Sequence, residues 1–223
     1  MRLIHTEAGL DIHLDEMVPS IVTLENIERF SEYINELLCQ FEGESGGFVL
    51  SEREKTLPLS KHSTLVLNPF SISCNEPKIL KRVYAELNEE ALSVHAELTA
   101  EINSYIISYL DQLVGGVHYP LRFELEMDIP GLLKLYGVKL DETDTDLLTR
   151  LTDYIKLSHR ILGVVLFIFV GIKSYLSNDQ LRHLYHEMQN EKAIFLDFES
   201  RYIDKIAEES HTLFDKDWCF IQL

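Results

Sequence analysis

The chain is poor in cysteine. Cys39, Cys74 and Cys219 are far apart, odd in number and form no Cys-x-x-Cys pair. That spacing offers neither a zinc site nor a disulfide framework, and it fits a reducing cytoplasm. Long apolar runs are missing too. The longest, Ile161 to Ile172, falls short of the ~20 residues a bilayer requires. The opening Met-Arg-Leu-Ile-His is followed at once by acidic residues, with no signal-type apolar stretch. A soluble cytoplasmic protein without a membrane partner is expected.

Glycine is absent where a phosphate loop would need it. The first strand-to-helix turn reads Thr23-Leu24-Glu25-Asn26, with no glycine and no lysine. A phosphate loop needs Gly-x-x-x-x-Gly-Lys-Ser/Thr to present backbone N–H groups to phosphate, and Glu25 would repel one. Gly43, Gly46 and Gly47 follow a helical pattern rather than a strand, so a dinucleotide fingerprint fails as well. There is no His-Glu-x-x-His, so His183 and His186 read as exposed helix residues, and no nucleophile elbow supports serine catalysis. Positive charge is scarce: Lys plus Arg is 20 against 37 Asp plus Glu, a formal charge of −17. The summed field repels nucleic acid at long range, although a local basic surface or bound cations reverse the sign at contact.

What is present is a core. Hydrophobic residues make up 46% of 223, ample for one sizeable domain. The most telling stretch is Leu162-Gly-Val-Val-Leu-Phe-Ile-Phe-Val170, which carries no polar side chain. Its length and β-rich content predict a central strand buried on both faces, in a mostly parallel sheet covered by helices. Strands are expected at 3–5, 12–14 and 20–24. A helix over 25–41 carries Ile27, Phe30, Ile34, Leu37, Leu38 and Phe41 at helical spacing. Further strands are expected at 48–50, at Leu57-Pro58-Leu59 on an edge, and at 63–68. Toward the C-terminus come a helix capped by Ser177, a strand at 193–196, a helix over 202–210 and a last strand at 218–221.

Between these parts the pattern turns helical. From Glu76 to Val114 one apolar stripe runs from Ile79 and Leu80 through Leu87, Val94, Leu98 and Ile102 to Leu113, with Asn75 as cap and Gly115-Gly116 as stop. One helix of this length spans ~58 Å, so it projects or bends back. Residues 123–127 alternate, a short helix is expected at 132–135, and another opens at Asp141. The resulting organisation is an α/β domain of residues 1–70 and 161–223, with an α-helical domain of residues 71–160 inserted in it.

Two sets of residues carry candidate chemistry. Glu124, Glu126 and Asp128 sit at i, i+2 and i+4, so on an extended segment all three point one way. Three hard oxygen ligands suit Ca²⁺, and a solvated edge is the alternative. Asp141, Asp144 and Asp146 read as a helix N-terminus instead. Lys78, Lys81 and Arg82 share one helix face, Lys156 and Arg160 another, and Lys134 and Lys139 flank the Gly137 turn. They are either DNA contacts or simply solvated charges.

The order of parts carries a resemblance over the whole length. Met1-Arg-Leu-Ile-His5, Ile12-His-Leu-Asp15, Leu65-Val-Leu-Asn-Pro-Phe70, Leu135-Tyr-Gly-Val-Lys-Leu140 and the strand at 162–170 resemble the Csn-two family, spacer-acquisition proteins of type II-A CRISPR systems. The resemblance implies a degenerate P-loop-NTPase-like head with an inserted helical leg. It implies homotetrameric rings that bind double-stranded DNA, preferably at linear ends, through their inner lining. It also implies Ca²⁺ support for the assembly, no catalysis, and partners among other CRISPR adaptation proteins. The lining transfers only as a class of residue, not position by position. Two other readings stay open: a metal-dependent degenerate ATPase-like or nuclease-like enzyme, and a structural oligomer that recruits other proteins.

Overall fold

The computed structural model describes residues 1–53, 55–142 and 146–222. They separate into two compact units, Met1–Cys74 with Glu142–Leu223, and Asn75–Asp141.

The first unit contains two sheets. Strands β1 (Arg2–His5), β2 (Leu10–His13), β4 (Phe48–Glu52) and β5 (Lys55–Leu57) form an antiparallel sheet in the order β2-β1-β4-β5. Strands β3 (Ser20–Leu24), β6 (Ser63–Val66), β7 (Leu166–Val170), β8 (Ile194–Glu199), β9 (Ser210–Phe214) and β10 (Phe220–Gln222) form the other, in the order β10-β9-β3-β8-β7-β6. Its neighbours pair in parallel except β10 on β9. The mostly parallel sheet was expected; a separate antiparallel sheet was not. Its signature is nevertheless local. β2 alternates buried and exposed residues, as a strand with one wet face must, whereas β3 and β8 are buried throughout.

Strand alternation sorts the parallel sheet into two faces. Val22, Leu24, Leu166, Ile168, Ile194, Leu196 and Phe198 point into a core shared with Leu3, Leu10, Ile12, Phe48 and Leu50 of the antiparallel sheet and Leu37 of helix α1 (Ile27–Phe41). Asn26 caps that helix by accepting from the Arg29 amide, so it starts two residues later than expected. The opposite face presents Ile21, Thr23, Phe167, Phe169, Phe195, Asp197 and Glu199. The Phe169 and Phe195 rings stack there at 5.0 Å, and Tyr185 meets Phe195 edge-on at 4.8 Å.

Several local expectations give way to backbone chemistry. β7 starts at Leu166 rather than Leu162, because Ser158–Leu162 forms a π turn that ends at Gly163 with φ +71. β7 also lies one strand in from the β6 edge, while β3 and β8 hold the middle. Pro58 is not in a strand; it precedes a short helix α2 (Leu59–His62). The helix expected over 202–210 is irregular chain running into β9. There the Glu209 carboxylate takes the Ile206 amide at 2.9 Å, a local bond that competes with helix formation.

In the second unit the long helix is two helices, α3 (Pro77–Ser93) and α4 (Ala96–Gly115). No proline or glycine marks the break at Val94-His95. The Ser93 hydroxyl donates back to the Glu89 carbonyl at 2.6 Å and the Thr99 hydroxyl to the Ala91 carbonyl at 2.9 Å. Such back-bonding pulls the helical ladder out of line. Asn75 is not a helix cap. Its side chain donates to the Leu140 carbonyl and accepts from the Leu140 amide, clasping the two ends of the unit. Helix α5 (Ile129–Leu135) packs on α3, and Tyr84 donates to the Val138 carbonyl at 2.6 Å.

The helix expected from Asp141 begins instead at Leu147. Helix α6 (Leu147–Leu157) is capped by Asp146, which accepts from the Leu148 and Thr149 amides. Asp144 lies outside the described residues. α6 packs on helix α7 (Asn178–Asn190), so residues 142–160 go with the α/β unit rather than the helical one. Ser177 and Gln180 close a capping box at the start of α7, as the expected cap implies. Among the described residues, no helix is long and apolar enough to cross a membrane.

Candidate functional site

The seven basic candidates divide by what surrounds them. Lys156 Nζ lies 2.6 Å from Glu187 on α7, and its hydrogen bond, helped by its charge, holds that carboxyl below the usual range. One turn later Arg160 grips Glu191 with two bonds, Nε to Oε2 at 3.0 Å and Nη2 to Oε1 at 2.6 Å. Lys78 pairs with Glu76 at 3.1 Å. Lys81, Arg82, Lys134 and Lys139 are exposed and have no carboxylate partner among the described residues. All four belong to the Asn75–Asp141 unit.

The same unit carries an unusual amount of exposed apolar surface. Helix α4 buries no residue, and Leu98, Ile102, Tyr105, Tyr109 and Leu113 follow one another at helical spacing on an exposed stripe. Between Lys134 and Lys139, Leu135 is 80% exposed and Tyr136 77% exposed.

The carboxylates Glu124, Glu126 and Asp128 are all exposed. Residues 123–127 form no strand, so the extended segment that would aim the three side chains one way is missing. Asp128 precedes α5 without capping it. Among the described residues, no three His, Cys, Asp or Glu side chains come close enough to hold a metal.

A second constellation lies at the carboxyl ends of the parallel strands, where open α/β sheets place their ligand crevices. Gly171 ends β7 with φ +72, a conformation natural to glycine, and turns the chain back toward β8. Its amide reaches the Phe198 carbonyl at 2.9 Å. The next two amides then meet carboxylates of β8: Ile172 donates to Asp197 Oδ1 and Lys173 to Glu199 Oε1, each at 3.3 Å. The Lys173 side chain runs inward to Glu209, at 3.0 and 2.8 Å from its two oxygens, and also donates to the Asp204 carbonyl. Tyr185 of α7 donates to Glu209 at 2.6 Å. On β9, His211 shares a 2.8 Å hydrogen bond with Thr23 and stacks on Tyr202.

Burial sets the protonation of this cluster. Desolvation pushes Asp197 well above the usual carboxylate range, and its neighbour Glu199 pushes it further. Glu199 is raised as well, chiefly by burial. Burial, then the Lys173 charge, lowers His211, so its ring is neutral. Neither Asp197 Oδ2 nor His211 Nδ1 has a hydrogen-bond partner among the described residues. None of this cluster was singled out from the sequence. The available signal was Ile194-Phe-Leu-Asp-Phe-Glu199, in which two carboxylates alternate with phenylalanine inside an apolar strand.

Over 183 residues the chain is 21% identical to the CRISPR-associated protein Csn2 of Enterococcus faecalis, covering 80% of this chain and 82% of that protein. A putative ABC transporter ATP-binding protein from Pyrococcus furiosus aligns over 91% of this chain and 88% of its own, with 7% identity and a TM-score of 0.36, too low to bear on the fold. Residues 40–218 match the model of the CRISPR-associated protein family Cas_Csn2. The chain belongs to the Csn2 family of CRISPR-associated proteins.

Proposed function

We propose that the protein is a non-catalytic DNA-binding component of CRISPR spacer acquisition that closes as a homotetramer around double-stranded DNA and prefers linear ends. The observation that carries this reading is the pairing of two features on one unit. Lys81, Arg82, Lys134 and Lys139 are exposed cations with no carboxylate partner among the described residues. The α4 stripe beside them in the chain is apolar and exposed, and self-association is a common way to cover such a surface. Repeating four cations around a closed ring concentrates positive charge against a total of −17 per chain. Contacts to phosphate carry no sequence information, so sequence preference is small. The parallel strand order, with β3 flanked by β8 and β9, supports a degenerate nucleotide-hydrolase-like head. Other proteins of the adaptation machinery are the natural further partners.

The test is a gel shift with one duplex in linear and covalently closed circular form, at matched salt. Linear DNA should bind and closed circles should not, because a closed ring loads by threading an end. Equal binding of both would overturn the ring.

Ca²⁺ stands as a separate part of the proposal. As folded, Glu124, Glu126 and Asp128 do not form a ligand set, so no step of the DNA-binding mechanism runs through the ion. If assembly brings them together, Ca²⁺ raises the melting temperature by mass action. Glu126→Ala with Asp128→Ala should then abolish the rise in a calorimetric titration. An unchanged rise in the double variant removes these residues from the site.

A further inference from the structure

We propose that Asp197 and Glu199 form a clasp held by one shared proton, which fastens the turn after β7 to the end of β8 and opens when that proton is lost.

Geometry makes the case. The two residues are two apart on one strand, so both side chains leave the same face of the sheet. Both are almost wholly buried, Asp197 completely. Asp197 Oδ2 is buried with no hydrogen-bond partner among the described residues, and a proton held between it and the neighbouring Glu199 carboxyl would satisfy it. Each also accepts one backbone amide from the turn, Ile172 on Asp197 and Lys173 on Glu199. Two neighbouring buried carboxylates cannot both ionise without enough positive charge to offset them.

The cations around the pair offset it only in part: burial outweighs the Lys173 charge, which lowers both carboxyls, and the Arg201 charge, which lowers Glu199. Lys173, on the turn itself, spends its ammonium on Glu209 and on the Asp204 carbonyl. Glu209, from the chain leading into β9, adds a further negative charge. From β9, His211 is neutral and bonded to Thr23 of β3. Tyr185 from α7 is bound to Glu209, and its hydroxyl is held protonated, first by burial and then by that carboxylate. Phe169 of β7 is apolar and lies in register with Asp197. Arg201, just past β8, acts on Glu199, and Lys205 acts on His211. Within the hydrogen-bonded cluster one ammonium thus faces three carboxylates, and the shared proton halves the excess of negative charge.

The sign of the pH effect follows. The folded protein holds this proton above the pH at which an unfolded carboxyl releases it. Stability from the clasp is therefore complete below the ordinary carboxylate range and is lost as pH rises through the raised value. Opening of the turn, linked to release of one proton, should grow about tenfold per pH unit across that window.

The experiment is native-state amide exchange from about pH 6 to about pH 9, a range in which buried carboxyls are known to titrate. The Ile172 and Lys173 amides are compared with β3 amides, after correction for intrinsic base catalysis. The two turn amides should lose protection steeply while β3 holds. Infrared spectra of the whole protein should show a protonated-carboxyl band near neutral pH that fades over the same interval. Asp197→Asn supplies a permanent donor to Glu199, so it should remove the band and flatten the exchange profile. Glu199→Gln should do likewise if the first variant folds poorly. A wild-type spectrum without that band, or an Asp197→Asn profile that keeps the wild-type slope, would overturn the clasp. Should neither variant fold, coincidence of the wild-type band and the exchange midpoint decides the matter: agreement supports the clasp and disagreement sinks it.

Discussion

Lys173→Met is expected to cost about 3–5 kcal/mol in urea denaturation, the range found when one partner of a buried ion pair is removed. The side chains of Lys173 and Glu209 are 1% and 0% exposed, so water cannot replace the missing ammonium. Every oxygen of Glu209 is committed. Oε1 accepts from Lys173 and Tyr185, and Oε2 accepts from Lys173 and the Ile206 amide. Without Lys173 the carboxylate keeps two neutral donors and is left with no counter-charge beside it. Against a typical domain stability of about 5–15 kcal/mol, that loss leaves little margin at body temperature.

A second variant separates charge from packing. Lys173→Met with Glu209→Gln removes both charges of the ion pair together, and the amide oxygen can still accept from Tyr185. It should recover a large part of the single-variant loss, with an unchanged denaturant slope. If Lys173→Met alone costs under about 1 kcal/mol, the pair is solvated in solution and the buried network is not as described.

How much of this was legible in the sequence depends on the range of the interaction. β3, α1 and α7 follow from their own residues: a short run rich in β-branched residues, an apolar stripe, and a serine cap with glutamine three residues on. The break between α3 and α4 was hidden, because Ser93 and Thr99 bend a helix only when their hydroxyls turn back onto its carbonyls. The irregular 201–209 segment was hidden for a similar reason. Ile206 and Glu209 have helical spacing, and the Glu209 side chain uses that closeness to capture the Ile206 amide instead. The basic residues were visible as residue types, but their availability was not. Lys156 and Arg160 are four apart, at the end of α6 and in the turn that follows it, and Glu187 and Glu191 are four apart at the end of α7. Only packing of α6 on α7 reveals that the two pairs neutralise each other. Asp197 and Glu199 were within reach, since two carboxylates in a strand otherwise made of Ile, Phe and Leu are costly unless satisfied.

That division of the cations yields the second large effect. Lys81→Glu with Arg82→Glu is expected to weaken duplex binding severely, whereas Lys156→Glu with Arg160→Glu should act mainly on stability. The first pair is exposed and unopposed by carboxylates among the described residues, so reversal costs the fold little. In a tetramer it changes eight charges at once, and each phosphate left without its cation should lower the salt slope of log affinity by about 0.9. A protein that neutralises roughly 6–10 phosphates weakens by about 10³–10⁵ in affinity between low and moderate salt, so reversing half of the four unopposed cations of each chain should bring binding to the limit of detection at moderate salt. Lys134→Glu with Lys139→Glu should act in the same direction. In the second case, Glu187 and Glu191 already hold the charges that would be reversed, and a duplex would have to break those pairs to reach them. Reversal there sets like charges against each other along α6 and α7, so the melting temperature should fall while the salt slope stays near wild type. Fluorescence anisotropy at several salt concentrations, run beside thermal melts, reads both quantities. Should the 156/160 variant lose the salt slope and the 81/82 variant keep it, the duplex runs along α6 and not along the Asn75–Asp141 unit.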